Sequence, residues 1–128
     1  MHKLMLLLPT CLLLTTLVSS CGKKGEKPTS KTIGVTLLTR AHLFYRDLEE
    51  GLRDEAAANR YEVIVTAADF DLGKQTSQIE DFIARKVDAI VVCPVDSRGI
   101  GAGIRKANEA TIPVFTADIA AQEGDVVS

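Results

Sequence analysis

Four short, continuously apolar runs recur along the chain. Each of the first three is followed by a stretch with helical spacing, and this alternation limits the fold more than any other feature. Ile33-Gly34-Val35-Thr36-Leu37-Leu38 is the first run and Val63-Ile64-Val65 the second. Ala89-Ile90-Val91-Val92, closed by Pro94, is the third, and Ile112-Pro113-Val114-Phe115 opens the fourth. Val126-Val127 reads as the start of a fifth. Between them, residues 44–59 carry Phe44, Leu48, Leu52 and Ala56 at helical spacing, with Asp47, Glu49, Glu50, Arg53 and Asp54 on much of the opposite face. A second helix is expected from Asp71 or Leu72 to Arg85, burying Ile79, Phe82 and Ile83. A third is expected over 97–108, with Ile100, Ile104 and Ala107 inward. Strand and helix repeat roughly every 25–30 residues, the pattern of parallel crossovers. Runs that are apolar throughout suit strands covered on both faces. Tyr61, Lys86-Val87-Asp88 and Thr111 mark tight helix-to-strand turns. The expected fold class is α/β, a doubly wound open parallel sheet of flavodoxin-like order 2-1-3-4-5.

The N-terminus is of another kind. His2 and Lys3 precede a mostly apolar stretch over 4–17, broken by Pro9, Thr10, Thr15 and Thr16. Leu17-Val18-Ser19-Ser20-Cys21 then places small residues before a cysteine. The stretch is too short and broken to span a bilayer, which takes about 20 apolar residues. It has the layout of a secretory leader. The last five residues resemble the lipobox of bacterial lipoproteins. That resemblance implies cleavage before Cys21 and a lipid on its sulfur, which would hold the chain at the cell envelope, in the periplasm or on the outer face of the cytoplasmic membrane. Gly22 stands where an aspartate favours inner-membrane retention in proteobacterial lipoproteins, so both membranes stay open. The expected organisation is a leader over 1–20, a lipidated tether over 21–31 and a partial α/β lobe over 32–128. The tether is polar, with Lys23, Lys24, Lys27 and Lys31 near the anchor.

Composition excludes several classes. From Thr32 onward the chain has ten Lys/Arg against sixteen Asp/Glu, a charge of −6, which would repel a phosphate backbone, so no nucleic-acid partner is expected. Of three cysteines, Cys11 leaves with the leader and Cys21 is committed to lipid, so Cys93 has no disulfide partner. It ends an apolar run and reads as a buried, inert thiol. No GxGxxG follows the first strand, and GxxxxGK[ST], HExxH and GxSxG are missing. Gly99-Ile100-Gly101-Ala102-Gly103 falls within a helical pattern and reads as close helix packing. With His42 the sole histidine left after cleavage, no metal site is expected, nor any cofactor or enzymatic activity.

In an open α/β sheet, ligands bind beyond the carboxyl ends of the strands. Here that edge collects the loops after each strand, with His42, Phe44 and Tyr45 in the first and Asp118 after the fourth. Two aromatic planes, a ring nitrogen and a carboxylate suit a polyhydroxylated ligand, because aromatics stack on a sugar's apolar face while a carboxylate accepts two hydroxyl protons. Adjacent Phe44 and Tyr45 cannot both face the sheet squarely, so at least one faces the cleft or solvent. Asp96-Ser97 reads as a helix cap, and Asp69 and Asp71 as loop or capping residues. A thiol enzyme built on Cys93 and His42 is the weaker chemical alternative, since reactivity needs an exposed, electropositive setting.

Residues 31–128 resemble the type I periplasmic sugar-binding proteins, the ribose- and galactose-binding group that feeds ABC importers. The resemblance rests on Thr32-Ile33-Gly34-Val35, Phe44-Tyr45 with Leu48-Glu49-Glu50-Gly51, and Gln78-Ile79-Glu80-Asp81-Phe82-Ile83. It continues through Val87-Asp88-Ala89-Ile90, Cys93-Pro94-Val95-Asp96-Ser97, Ala107-Asn108, Ile112-Pro113-Val114 and Phe115-Thr116-Ala117-Asp118. It implies that Phe44 and Tyr45 stack on a sugar, that His42 stands where ribose binders often carry an asparagine, and that Asp118 grips ring hydroxyls. Ile119 stands where ribose binders often have arginine, which puts ribose itself in doubt; Arg40 is the candidate to supply a guanidinium instead. The family closes two lobes around its ligand, and this chain ends inside the first, so a one-walled site and no affinity below the millimolar range are expected of these 128 residues alone.

The expected function is a substrate-binding lipoprotein, or its N-terminal part, that captures a sugar-like molecule for ABC permease subunits, with a missing C-terminal lobe and the membrane as further partners. The alternatives are a receptor module that presents a ligand to a membrane kinase or chemoreceptor, and a truncated chain without function. A repressor's effector domain is disfavoured, because a leader stands where a helix-turn-helix would be.

Overall fold

A computed structural model of the chain describes residues 30–127. The leader, Cys21 and most of the tether lie outside the described residues. The order is β1 (Thr32–Leu37), α1 (Leu43–Ala58), β2 (Glu62–Ala67), α2 (Leu72–Ala84), β3 (Ala89–Val92), α3 (Gly101–Glu109) and β4 (Val114–Thr116). The strands form one parallel sheet in the order β2-β1-β3-β4. Val35 sits level with Val65 on one side and Val91 on the other, and Val91 with Phe115. This is the expected order as far as the fourth strand. No fifth strand forms among the described residues, but the Val127 amide donates to the Val114 carbonyl at 2.8 Å, on the free edge of β4.

Each strand sends alternate residues to opposite faces, and both faces are covered. On one, α1 packs Tyr45, Leu48 and Leu52 onto Val35, Leu37, Val65 and Cys93. On the other, α2 and α3 pack Ile79, Phe82, Ile100, Ile104 and Ala107 onto Ile90, Val92 and Val114. The inward stripe of α1 is led by Tyr45 instead of Phe44. Tyr45 is 7% exposed and Phe44 46%. Aligning Leu48, Leu52 and Ala56 on the sheet brings the residue three before Leu48, not four before it, inward, and both spacings share one helical face.

Two glycines permit close approach. A Cβ on Gly34 would stand 2.6 Å from the Phe82 ring, so the ring lies directly on the β1 backbone. One on Gly103 would meet Ile79 Cδ1 at 3.0 Å, the helix contact anticipated from the glycine-rich run.

The helix ends explain the tight turns. After α1, the Arg60 amide donates to Ala57 and the Tyr61 amide to Ala56. After α2, Lys86 donates to Ile83 and Val87 to Phe82; after α3, Thr111 to Asn108 and Ile112 to Ala107. These are three Schellman caps, and each left-handed position is filled by a residue other than glycine: Arg60, Lys86 and Thr111 at φ 60°, 55° and 59°. The apolar residue that follows each, Tyr61, Val87 or Ile112, leads back to the sheet. The third helix starts at Gly101, four residues later than its spacing predicts. Residues 97–100 form turns, in which the Asp96 carboxylate accepts from the Arg98 amide at 3.0 Å and the Gly101 amide bonds to Arg98 one residue short of helical reach.

Candidate functional site

The parallel register brings the loops after β1, β2 and β4 to one edge. There a cavity of about 410 Å³ is lined by Leu38, Thr39, His42, Phe44, Tyr45, Phe70 and Asp118. A larger hollow, about 510 Å³, lies at the opposite edge among the helix caps, lined by Lys86, Asp88 and Thr111 with apolar neighbours. The Asp88 carboxylate there is occupied by the Thr32 amide at 2.7 Å. The carboxyl edge is the better site, because the strand ends and helix starts converge on it.

Each polar group in the cavity is set by a local bond. His42 caps α1: its Nδ1 accepts from the Phe44 amide at 3.2 Å. The proton of a neutral ring then sits on Nε2, which becomes a donor. The buried Tyr45 hydroxyl donates to Asp118 Oδ2 at 2.7 Å, joining the start of α1 to the loop after β4. Burial first, and then this bond to a carboxylate, push the Tyr45 phenol up to about 12. Asp118 itself sits at φ 68°, an unusual backbone for a residue with a side chain. The Tyr45 ring meets Phe44 edge to face, with centroids 5.1 Å apart at 81°, and His42 at 6.4 Å and 72°. Phe44, half-exposed, lines the cavity, while Tyr45 serves chiefly as a strut for Asp118.

His42, Phe44, Tyr45 and Asp118 come together as a cluster. Arg40 and Ile119 do not line the cavity. Arg40 donates to both carboxylate oxygens of Glu49 and, at 2.9 Å, to the Val65 carbonyl. The same Glu49 also receives Arg53. The hydrogen bond from Arg40 is the leading cause that holds the Glu49 carboxyl below its usual range. The guanidinium thus ties α1 to β2. Ile119 is partly exposed and its amide bonds to the Ala117 carbonyl at 2.9 Å. Cys93 is buried against the same core; burial first, and then the nearby Asp118 charge, push its thiol up to about 11, so at neutral pH it is a protonated packing group. Among the described residues no three His, Cys, Asp or Glu side chains gather in a way that would hold a metal.

Two features escaped the sequence reading. Phe70 lines the cavity, although nothing in its spacing distinguishes it from a loop residue. Beneath the edge, the fully buried Gln75 donates to the Cys93 carbonyl and accepts from the Val95 amide, each at 2.9 Å. Gln78 accepts from the Thr36 hydroxyl at 2.7 Å and donates to the Ala67 carbonyl at 2.9 Å. These two glutamines clamp the ends of β1, β2 and β3 and so hold the loops in place. The available hint was Gln75 falling in register with Ile79 and Phe82 on the inward face of α2.

Comparison with known proteins places the chain in a family. The model for the periplasmic binding protein domain matches residues 33–128. The ribose import binding protein of Bacillus subtilis is 37% identical over 108 residues, which are 84% of this chain and 34% of that protein. A xylitol-binding protein of Mycolicibacterium smegmatis is 31% identical over 111 residues, 85% of this chain and 32% of the relative. Among solved structures, an ABC transporter solute-binding protein of Mycobacterium smegmatis with bound glycerol superposes with a TM-score of 0.71 at 30% identity, covering 74% of this chain and 33% of that one. A solute-binding protein of Bacillus halodurans with bound myo-inositol gives 0.63 at 35% identity, covering 69% and 31%. The chain spans about a third of the length of these relatives. With its matched family model, parallel sheet and strand order, the chain belongs to the periplasmic binding protein domain family.

Proposed function

We propose that this chain supplies one wall of a binding site for a neutral sugar or polyol, in a solute-binding protein of an ABC importer. The observation that carries this reading is the Tyr45-braced carboxylate of Asp118 sharing one cavity with the His42 ring, whose Nδ1 is used by the helix cap, and with the half-exposed Phe44 ring. One acceptor, one donor and one stacking plane match a ring that carries vicinal hydroxyls. Among the described residues Asp118 is the one carboxylate or fixed charge on the lining, so this wall favours a neutral ligand over sugar acids and sugar phosphates. The named relatives for ribose and xylitol, and the structures holding glycerol and myo-inositol, support the same ligand class. The facing wall would come from a second lobe, and capture would take place in the cell envelope, with Cys21 as the lipid anchor and permease subunits as the recipients.

Calorimetric titration of the full-length protein with ribose, xylitol and myo-inositol tests the reading. At least one should bind, and Asp118→Asn should weaken it by roughly tenfold or more, since a hydrogen bond to a charged group contributes about 1.5–3 kcal/mol. No binding of any neutral sugar or polyol by the unmodified protein would overturn it.

A further inference from the structure

We infer that Phe70 is a specificity-determining contact of this site, selecting a sugar or polyol that carries an apolar substituent, such as an aryl glycoside. The inference rests on the proposed sugar site and adds to it the chemistry of the ligand's second part.

Phe70 is 66% exposed, the most exposed large hydrophobic side chain among the described residues, yet it lines the same cavity as Phe44 and Asp118. Its backbone is held at φ 66°, next to Asp69 at φ 54°. A bulky residue with a Cβ is disfavoured in this left-handed region, where glycine or asparagine sits easily. The loop is nonetheless pinned there. The Phe70 amide donates to the Leu38 carbonyl at 3.1 Å, the Asp71 amide to Ala68 at 3.2 Å, and Lys74 pairs with Asp69 at 2.7 Å. The side chain gains little burial among the described residues, so packing within this lobe does not account for a phenylalanine at this position. Backbone strain retained without a packing gain is characteristic of binding sites.

The distribution of polarity says what Phe70 meets. Hydrogen-bonding side chains on the lining are Asp118, His42, Thr39 and Tyr45; the Tyr45 hydroxyl donates to Asp118, and the Thr39 hydroxyl already accepts from the Ala41 amide at 3.0 Å. Phe44 offers its ring for stacking, whereas the side chains of Phe70 and Leu38 offer no partner for ring hydroxyls. On this wall, a bare sugar, which has hydroxyls around its whole rim, would set those nearest Phe70 against a side chain that cannot pair with them. A ligand with a hydroxylated end toward Asp118 and an apolar end toward Phe70 satisfies both.

The test compares matched methyl and phenyl glycosides of ribose and glucose, together with the free sugars, by calorimetry on the full-length protein and on Phe70→Asn. The unmodified protein should prefer phenyl over methyl by about tenfold, the range of an added aromatic contact. Phe70→Asn should bring that ratio close to 1, the phenyl glycoside losing about tenfold more affinity than the methyl glycoside, and raise the melting temperature, because asparagine relieves the left-handed strain. A phenyl preference that survives Phe70→Asn, an equal loss for both glycosides, or binding of free sugars with rejection of both glycosides would overturn this inference alone. A lower melting temperature would make Phe70 a structural residue and would also overturn it. Failure of the unmodified protein to bind any of the sugars would instead overturn the sugar site itself, and this inference with it.

Discussion

Tyr45 shows how much one hydroxyl can settle. Its ring belongs to the core beneath α1, and its oxygen reaches out of that core to hold Asp118, 73 residues later. Tyr45→Phe keeps the apolar ring and removes only the donor. It should cost about 1 kcal/mol of stability, since the exposed Asp118 regains water while a hydrogen bond is lost. Sugar affinity should also fall, because the carboxylate is no longer oriented. Urea denaturation and calorimetry check the two parts. Combining Tyr45→Phe with Asp118→Asn should give less than the sum of the single effects, as expected for groups acting as a pair.

At the scale of elements, two glycines of similar appearance should respond oppositely to alanine. Gly51 lies in the exposed middle of α1, with nothing within 4 Å of an added Cβ. Gly51→Ala should therefore stabilise by about 0.8–1 kcal/mol through helix propensity. Gly34 lies in β1 under the Phe82 ring, 2.6 Å from an added Cβ. Gly34→Ala must displace α2 from the sheet and should cost about 1–3 kcal/mol or more. Denaturant midpoints for the two variants provide the check. The same close contact between β1 and α2 lets Gln75 and Gln78 reach the strand ends, so loosening it should also loosen the loops that carry the site.

For the whole molecule, the buried acids set an alkaline limit. The Cys93 thiol moves from its ordinary 9.0 to about 11, and the Tyr45 phenol from 10.0 to about 12. Both native values are raised, so above pH 9 the unfolded chain releases protons that the folded one retains. Stability from these two groups is complete below about pH 9 and is lost as pH rises from 9 to 12. Urea titrations from pH 7 to 11.5 should show that decline, and Cys93→Ala should flatten its lower part, between pH 9 and 11. Insensitivity to alkali across this window would mean that neither group is held away from water.

The alternation of apolar runs with helical spacing determined the fold class, the strand order through β4 and the three helix-to-strand turns. Those features depend on local periodicity and on the one-handed crossover of parallel strands, both of which act within a few tens of residues. Residue type and position at the strand ends likewise marked His42, Phe44, Tyr45 and Asp118. Only the tertiary structure decided which aromatic ring turns inward, because neighbouring helix positions differ by about 100° and packing against the sheet selects between them. It also drew Arg40 onto Glu49 and the Val65 carbonyl, a choice made by groups 9 and 25 residues away in sequence. Phe70 entered the site through a backbone turn, pinned by Leu38 and by the Asp69–Lys74 pair, that no propensity for phenylalanine would suggest. Partners set the direction of a polar or strained side chain, and the fold alone brings those partners within reach.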